Sequence, residues 1–421
     1  MKKSILIAMA TTLALASCQT DDILDNSGST QNANNAIRFD GEAGKMSRAE
    51  DNDAHTKLGD KFVVYAYKTI GNTKTTVYNH YNVEWKGTTP TSDTNRNGWE
   101  YVKIDKNPLN DGGAQTIKYW DYTASQYDFV AFSFGKATQG TGENEVEAAK
   151  VDQETLSYTL SGKVSELNKC YIADCVVAKQ NTTSTAYKEY SFNSCIGFSF
   201  RSLATRIKIA IYETIPGYSV KNLKFYTSSS ESTGTETAPT LYAANATIPQ
   251  NGDVKGKVKV SFDTDQQAKI ELDETSSKVS SVKFGNLSLV EKEDQEKADG
   301  SEGTQIFIGR DANAASTSDY ITTLPAANIG DLTLKVDFTL EATDGTGEDI
   351  EVKGATAVIP AASAVWKPNY AYTYRFKITQ LTNGTTGGQA LHPIYFDAVV
   401  AEEANVDNNG IIDADTDTKQ N

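Results

Sequence analysis

Apolar residues recur at every second position along much of this chain. Ile207, Ile209 and Ile211 alternate with Arg206, Lys208 and Ala210, and Leu332, Leu334, Val336, Phe338 and Leu340 alternate with Thr333, Lys335, Asp337 and Thr339. Tyr370, Tyr372, Tyr374, Phe376 and Ile378 do the same against Ala371, Thr373, Arg375 and Lys377. A period of two sends successive side chains to opposite faces of an extended backbone, so these segments predict half-buried antiparallel strands with one wet face. Shorter strands are expected at 62–67, 129–134, 258–262, 282–284 and 305–308. The intervening TSDTNRNG, LNDGG and ATDGTGED carry the Gly, Asn and Asp that turns need. Helical composition is confined to 142–154 and 289–297. The expected fold is all-β, as Greek-key or sandwich domains.

Polar breaks divide this pattern. QNTTSTAYKEY (180–190) separates two sets of strands, which gives β domains over 37–190 and 191–380. LTNGTTGGQ (381–389) then opens a final region, 381–421, as a linker before HPIYFDAVVA, where Ile394, Phe396, Ala398 and Val400 fall on one face. Residues 402–421 carry six acids and one lysine and are expected to be mobile.

The amino terminus has a different logic. Lys2 and Lys3 precede an apolar run over 5–16, and small residues follow, which is an export signal over 1–17. The run is well short of the ~20 apolar residues that cross a bilayer. Leu15-Ala16-Ser17-Cys18 resembles the bacterial lipobox, which implies that Cys18 is diacylated and becomes the new amino terminus. Residues 18–36 read as a polar tether. Removing the signal takes away two lysines and no acid, so the net charge of −15 becomes two charges more negative. Such acidity excludes nucleic acid as a natural partner, because that binding rests on basic surface.

Catalytic and metal chemistry find little support. The three histidines, His55, His80 and His392, lie in polar or turn contexts, share no ligand spacing, and read as solvated surface residues. No serine-hydrolase, zinc-protease, phosphate-loop or dinucleotide motif occurs. Cys170, Cys175 and Cys195 are odd in number and read as buried or paired structural thiols. Asp93, Asn95 and Asn97 before Gly98 begin a calcium-loop pattern, but Ile104 stands where the bidentate Glu belongs, so a hairpin turn before Trp99 is the better reading. The expectation is no enzyme, no cofactor and no metal.

Several longer stretches resemble one family. AIRFDGEAGKMSRAE, KYWDYTASQYDFVAFSFG, YIADCVVAKQ, IGFSFRSLATRIKIAIYE and WKPNYAYTYRFKITQ, together with the lipobox, are similar to the fimbrillin (type V pilus) family of Gram-negative gut and oral anaerobes. That resemblance covers most of 37–400. It implies two tandem transthyretin-like β-sandwich domains, outer-membrane export through acylated Cys18, and arginine-specific cleavage near the start of the first domain. The cut frees the first strand and opens a groove that a carboxyl-terminal strand of another subunit fills. On these residues Arg48 and Ala49 flank the cleavage point, Ile37 and Phe39 belong to the displaced strand, and Ile394, Phe396, Ala398 and Val400 form the donor. The partners are other fimbrial subunits and membrane lipid. Two alternatives stay open: Arg48 as an ordinary loop arginine, and the 394–400 strand paired within its own domain. A non-polymerising surface lipoprotein that binds glycan or protein through Trp85 or Trp99 is the competing function.

Overall fold

The computed structural model describes residues 35–43, 54–87, 94–95, 98–102, 114–142, 145–180, 189–292, 305–379, 385–386, 389–390 and 398–404. Within them the protein is almost entirely β, with two short helices, Ala54–Lys57 and Val164–Leu167. The chain gathers into two compact units. One holds residues up to 41 with 64–129 and 176–198, and the other holds 42–63, 130–175 and 199–421.

The largest sheet runs in the order Phe39–Ala43, Ile196–Ser202, Tyr171–Ala173, Gln126–Ser133, Lys61–Ile70, Thr73–Trp85, Trp99–Glu100. Phe39–Ala43 is therefore an edge strand. Within the first unit, Tyr127, Phe129, Tyr65 and Tyr67 are fully buried, which is where much of the chain's aromatic content goes.

The second unit contains a sandwich. One sheet is built on Thr205–Glu213, Tyr370–Ile378 and Ala398–Ala404, and the other on Leu332–Ala342 and Asp349–Ile359. Ile207, Ile209 and Ile211 meet Leu334, Val336, Phe338, Tyr372, Tyr374 and Phe376 in one core. These are the residues that the alternation placed inward, and packing two such faces is what stabilises a sandwich.

Four expectations need correction. Thr205–Glu213 and Tyr370–Ile378 pair in parallel, Arg206 with Ala371 through Glu213 with Ile378. The long stretch of chain between them leaves the direction free, whereas a tight turn would have forced it antiparallel. Tyr370–Ile378 is also buried on both faces from Ala371 to Tyr374. Residues 142–154 are not helical: Glu147–Ala148 pairs with Tyr158–Lys163, Val146 and Val151 are buried, and Asp152 Oδ1 accepts the amides of Glu154 and Thr155. Tertiary pairing has overridden helix propensity there, and Val290–Lys292 likewise is a strand.

His80 is the fourth correction. It is buried in the Thr73–Trp85 strand, 2.9 Å from the Tyr65 hydroxyl through Nδ1. Its φ of +55° breaks the strand's period of two. Tyr78 and Tyr81, three residues apart, consequently pack ring against ring at 4.9 Å. The Asn95–Gly98 turn differs in detail: Trp85 pairs with Trp99, so the connection is long, and Asn95 donates to Glu100 Oε1 and accepts from the Gly98 amide.

Candidate assembly site

The amino-terminal segment is seated by both its backbone and its side chains. Asn35 O accepts from Trp120 N at 3.0 Å, Ile37 N donates to Lys118 O at 2.9 Å, and Arg38 O accepts from Ile196 N at 2.9 Å. Ile37 and Phe39 are buried to 0% and 1% exposure. The Phe39 ring stands among Tyr78, Tyr101, Phe129 and Phe198, with centroids 5.2, 5.5, 5.9 and 5.8 Å away. The approaches to Tyr78 and Phe129 are edge-to-face, a geometry that aromatic quadrupoles prefer, and those to Tyr101 and Phe198 are tilted.

Tyr101 ties this cage to the segment. Its hydroxyl donates to Ile37 O at 2.8 Å and accepts from Lys118 N and the Tyr78 hydroxyl, both at 3.2 Å. Burial pushes the Tyr101 phenol up to about 12, and burial followed by the neighbouring Tyr101 raises Tyr78 as well. Both stay neutral donors across the physiological range. Gln115 positions Tyr101 in turn: its Nε2 donates to Tyr101 O at 2.6 Å and Asn82 O at 2.8 Å, while its Oε1 accepts from Asn82 N at 2.6 Å. One buried amide side chain thus does the work of a missing strand, satisfying backbone groups on two segments.

The carboxyl-terminal strand Ala398–Ala404 pairs antiparallel with Tyr370–Ile378 of the same chain, Ala398 opposite Phe376 and Val400 opposite Tyr374. The strand is an edge strand, and its partner is firmly held. Trp366 Nε1 donates to the Tyr374 hydroxyl at 2.9 Å, and that hydroxyl donates to Ser363 O at 3.2 Å. Burial pushes the Tyr374 phenol up. Short pieces of the expected linker also pair: Thr385–Thr386 with Gln389–Ala390, and Thr385 with Lys353.

Ile37, Phe39, Ala398 and Val400 therefore have places in the fold, whereas Cys18, Arg48, Ala49, Ile394, Phe396 and His392 lie outside the described residues. Cys170, Cys175 and Cys195 are buried. Of the two candidate binding aromatics, Trp99 is buried and Trp85 half-buried, packed edge-on at 5.4 Å. The cage residues Tyr78, Tyr101, Phe129 and Phe198 and the Gln115 clip were not singled out by sequence. Their one signal was the aromatic density of KYWDYTASQYDFVAFSFG and its neighbours, which shows burial without showing what is held.

No protein-family model matches the chain, and no curated protein matches it. Among solved structures, a chain described as a candidate cell adhesion protein from Bacteroides uniformis is 12% identical over 88% of this chain and 98% of its own, with a TM-score of 0.31. A fimbrial protein from Bacteroides vulgatus is 15% identical over 87% of this chain and 98% of its own, with a TM-score of 0.47.

Proposed function

We propose that this chain is a structural subunit of a cell-surface fimbria, serving adhesion and assembled by protease-triggered strand exchange. The observation that carries the reading is the seat of the 35–43 segment: an edge strand whose Ile37 and Phe39 are wholly buried and whose backbone is held by Lys118, Trp120 and Ile196. Cutting between Arg48 and Ala49 severs this segment from the rest of the chain. Once it leaves, an aromatic groove and unpaired backbone groups face water, a costly state that another β-strand relieves. A strand with apolar residues at alternate positions, such as Ile394, Phe396, Ala398 and Val400, supplies the replacement. Acylated Cys18 departs with the released piece, so the lipid serves delivery through the outer membrane.

The alternative is a non-polymerising surface lipoprotein, and the pairing of Ala398–Ala404 within its own chain favours it. Treating the purified precursor with an arginine-specific protease separates the two. Fimbrial assembly expects oligomers that survive electrophoresis without boiling, absent in Arg48→Ala and in a chain lacking 390–421. Cleavage at Arg48 that yields only monomer overturns it.

A further inference from the structure

The sheet ordered Ala268–Leu272, Lys255–Phe262, Tyr158–Lys163, Glu147–Ala148 ends on an unguarded strand. Edge strands invite pairing with other chains, and proteins usually spoil them with proline, bulges or like charge. The five residues of this edge, AKIEL, include neither proline nor glycine. Their register with Lys255–Phe262 runs unbroken, from Leu272 opposite Val258 to Ala268 opposite Phe262. A cleft of about 560 Å³ opens against 269–272, with Thr247, Lys278 and Asn328 in its walls.

Hydrogen bonding fixes which backbone groups point outward. Asp263 N donates to Gln267 O at 3.1 Å and Asp273 N to Lys257 O at 2.8 Å. Antiparallel ladders bond at every second residue, so Lys269 and Glu271 turn their N–H and C=O groups to Lys255–Phe262, and Ala268, Ile270 and Leu272 turn theirs away. Ala268 N finds Asp174 Oδ1 at 2.9 Å. The backbone groups of Ile270 and Leu272 have no partner on that side among the described residues.

The side chains select the partner. Lys269 and Glu271 are exposed on one face, 2.8 Å apart from Nζ to Oε1, while Ala268, Ile270 and Leu272 are half-buried on the other. Turned about a twofold axis through Ile270, this sequence is its own complement. Lys269 falls opposite Glu271 of the second copy, and Glu271 opposite its Lys269, in the non-hydrogen-bonded positions where side chains stand closest. On the other face Ile270 meets Ile270 and Leu272 meets Ala268, apolar on apolar. Two like charges on the strand would instead repel its own copy in this register.

We propose that Ala268–Leu272 is a self-association surface, pairing antiparallel with the same strand of a second copy of this chain. Ile270 N donates to Ile270 O of the second copy and Leu272 N to its Ala268 O, and both bonds recur in the opposite sense. The two four-stranded sheets become one continuous sheet. Neither 35–43 nor 398–404 takes part, so the pairing needs no cleavage and is independent of strand exchange.

Sedimentation equilibrium of the uncut full-length chain, combined with hydrogen exchange, tests this. So short an interface should give a reversible dimer with a Kd of about 10–100 μM. The Ile270 and Leu272 amides should exchange freely in dilute solution and slow at least about fivefold where dimer dominates. Ile270→Pro, which removes an N–H that faces away from the hairpin, should abolish the dimer. Lys269→Glu and Glu271→Lys alter exposed side chains only, and each alone should weaken self-association about tenfold. Mixed together, these two variants should recover it, because every facing pair is then opposite in sign. Monomer alone at about 500 μM overturns the proposal. So does a dimer that both charge reversals leave unchanged, or one that the mixture does not recover. Slow exchange at Ile270 and Leu272 in dilute monomer would assign the edge to another segment of the same chain and overturn it equally.

Discussion

Replacing Phe39 by alanine removes the one side chain that touches all four walls of the aromatic cage. Phe39 is 1% exposed, and its ring has neighbours at 5.2 to 5.9 Å. A buried Phe→Ala change costs about 3–5 kcal/mol, because the lost transfer energy is joined by the cavity left behind. If the 35–43 segment opens as a local unit, that cost appears as an increase of about 10² to 10⁴ in its open population. The Trp120 and Ile196 amides, which donate to Asn35 O and Arg38 O, are the reporters. Native-state hydrogen exchange should accelerate at both by that factor. The Ile209 amide, bonded to Ser318 Oγ in the second unit, should change by less than about threefold. Equal acceleration at all three sites would mean that the segment leaves only with general unfolding, which would refute local displacement. Acceleration below about threefold at Trp120 and Ile196 would refute the cage as the segment's main hold.

Alkali should loosen the same unit. Tyr101 and Tyr127 have phenols raised by burial to about 12 in the folded protein, against 10 when unfolded. The unfolded chain then loses these protons first, so stability is fully present below about pH 10 and declines as pH rises toward 12. Chemical denaturation across that window should show the decline, and Tyr101→Phe should flatten it; an unchanged slope would contradict the assignment. Gln115→Ala should cost at least about 2 kcal/mol, since buried backbone groups on both Asn82 and Tyr101 lose its amide. A shift in urea midpoint equivalent to less than about 0.5 kcal/mol would show that the clip is dispensable.

Alternation identified the strands of the second unit because each has one face on a shared core, as Leu332–Ala342 has with Leu332, Leu334, Val336 and Phe338 buried. It could not identify partners or direction. Arg206 meets Ala371 in parallel, and nothing local encodes a pairing between segments so far apart. The His80 kink was hidden for a related reason. A left-handed residue in a polar Asn79-His80-Tyr81 context looks like surface until Tyr65 is seen bonded to it and packed edge-on against its ring. Ile37 and Phe39 were legible as a strand, but their cage draws one residue each from four distant segments. Residues 142–154 misled because Glu, Ala and Lys favour helix locally, while Val146 and Val151 are claimed by the core.

The parallel pairing of Thr205–Glu213 with Tyr370–Ile378 also bears on when the chain can fold. The central strand pair of the second unit stays incomplete until nearly the whole polypeptide has been delivered, and contacts of such high sequence separation form slowly. A chain still being synthesised therefore leaves Ile207, Ile209 and Ile211 without their Tyr372, Tyr374 and Phe376 neighbours. Late closure of this kind leaves those apolar faces uncovered, and open to aggregation, for as long as the carboxyl-terminal strand is missing.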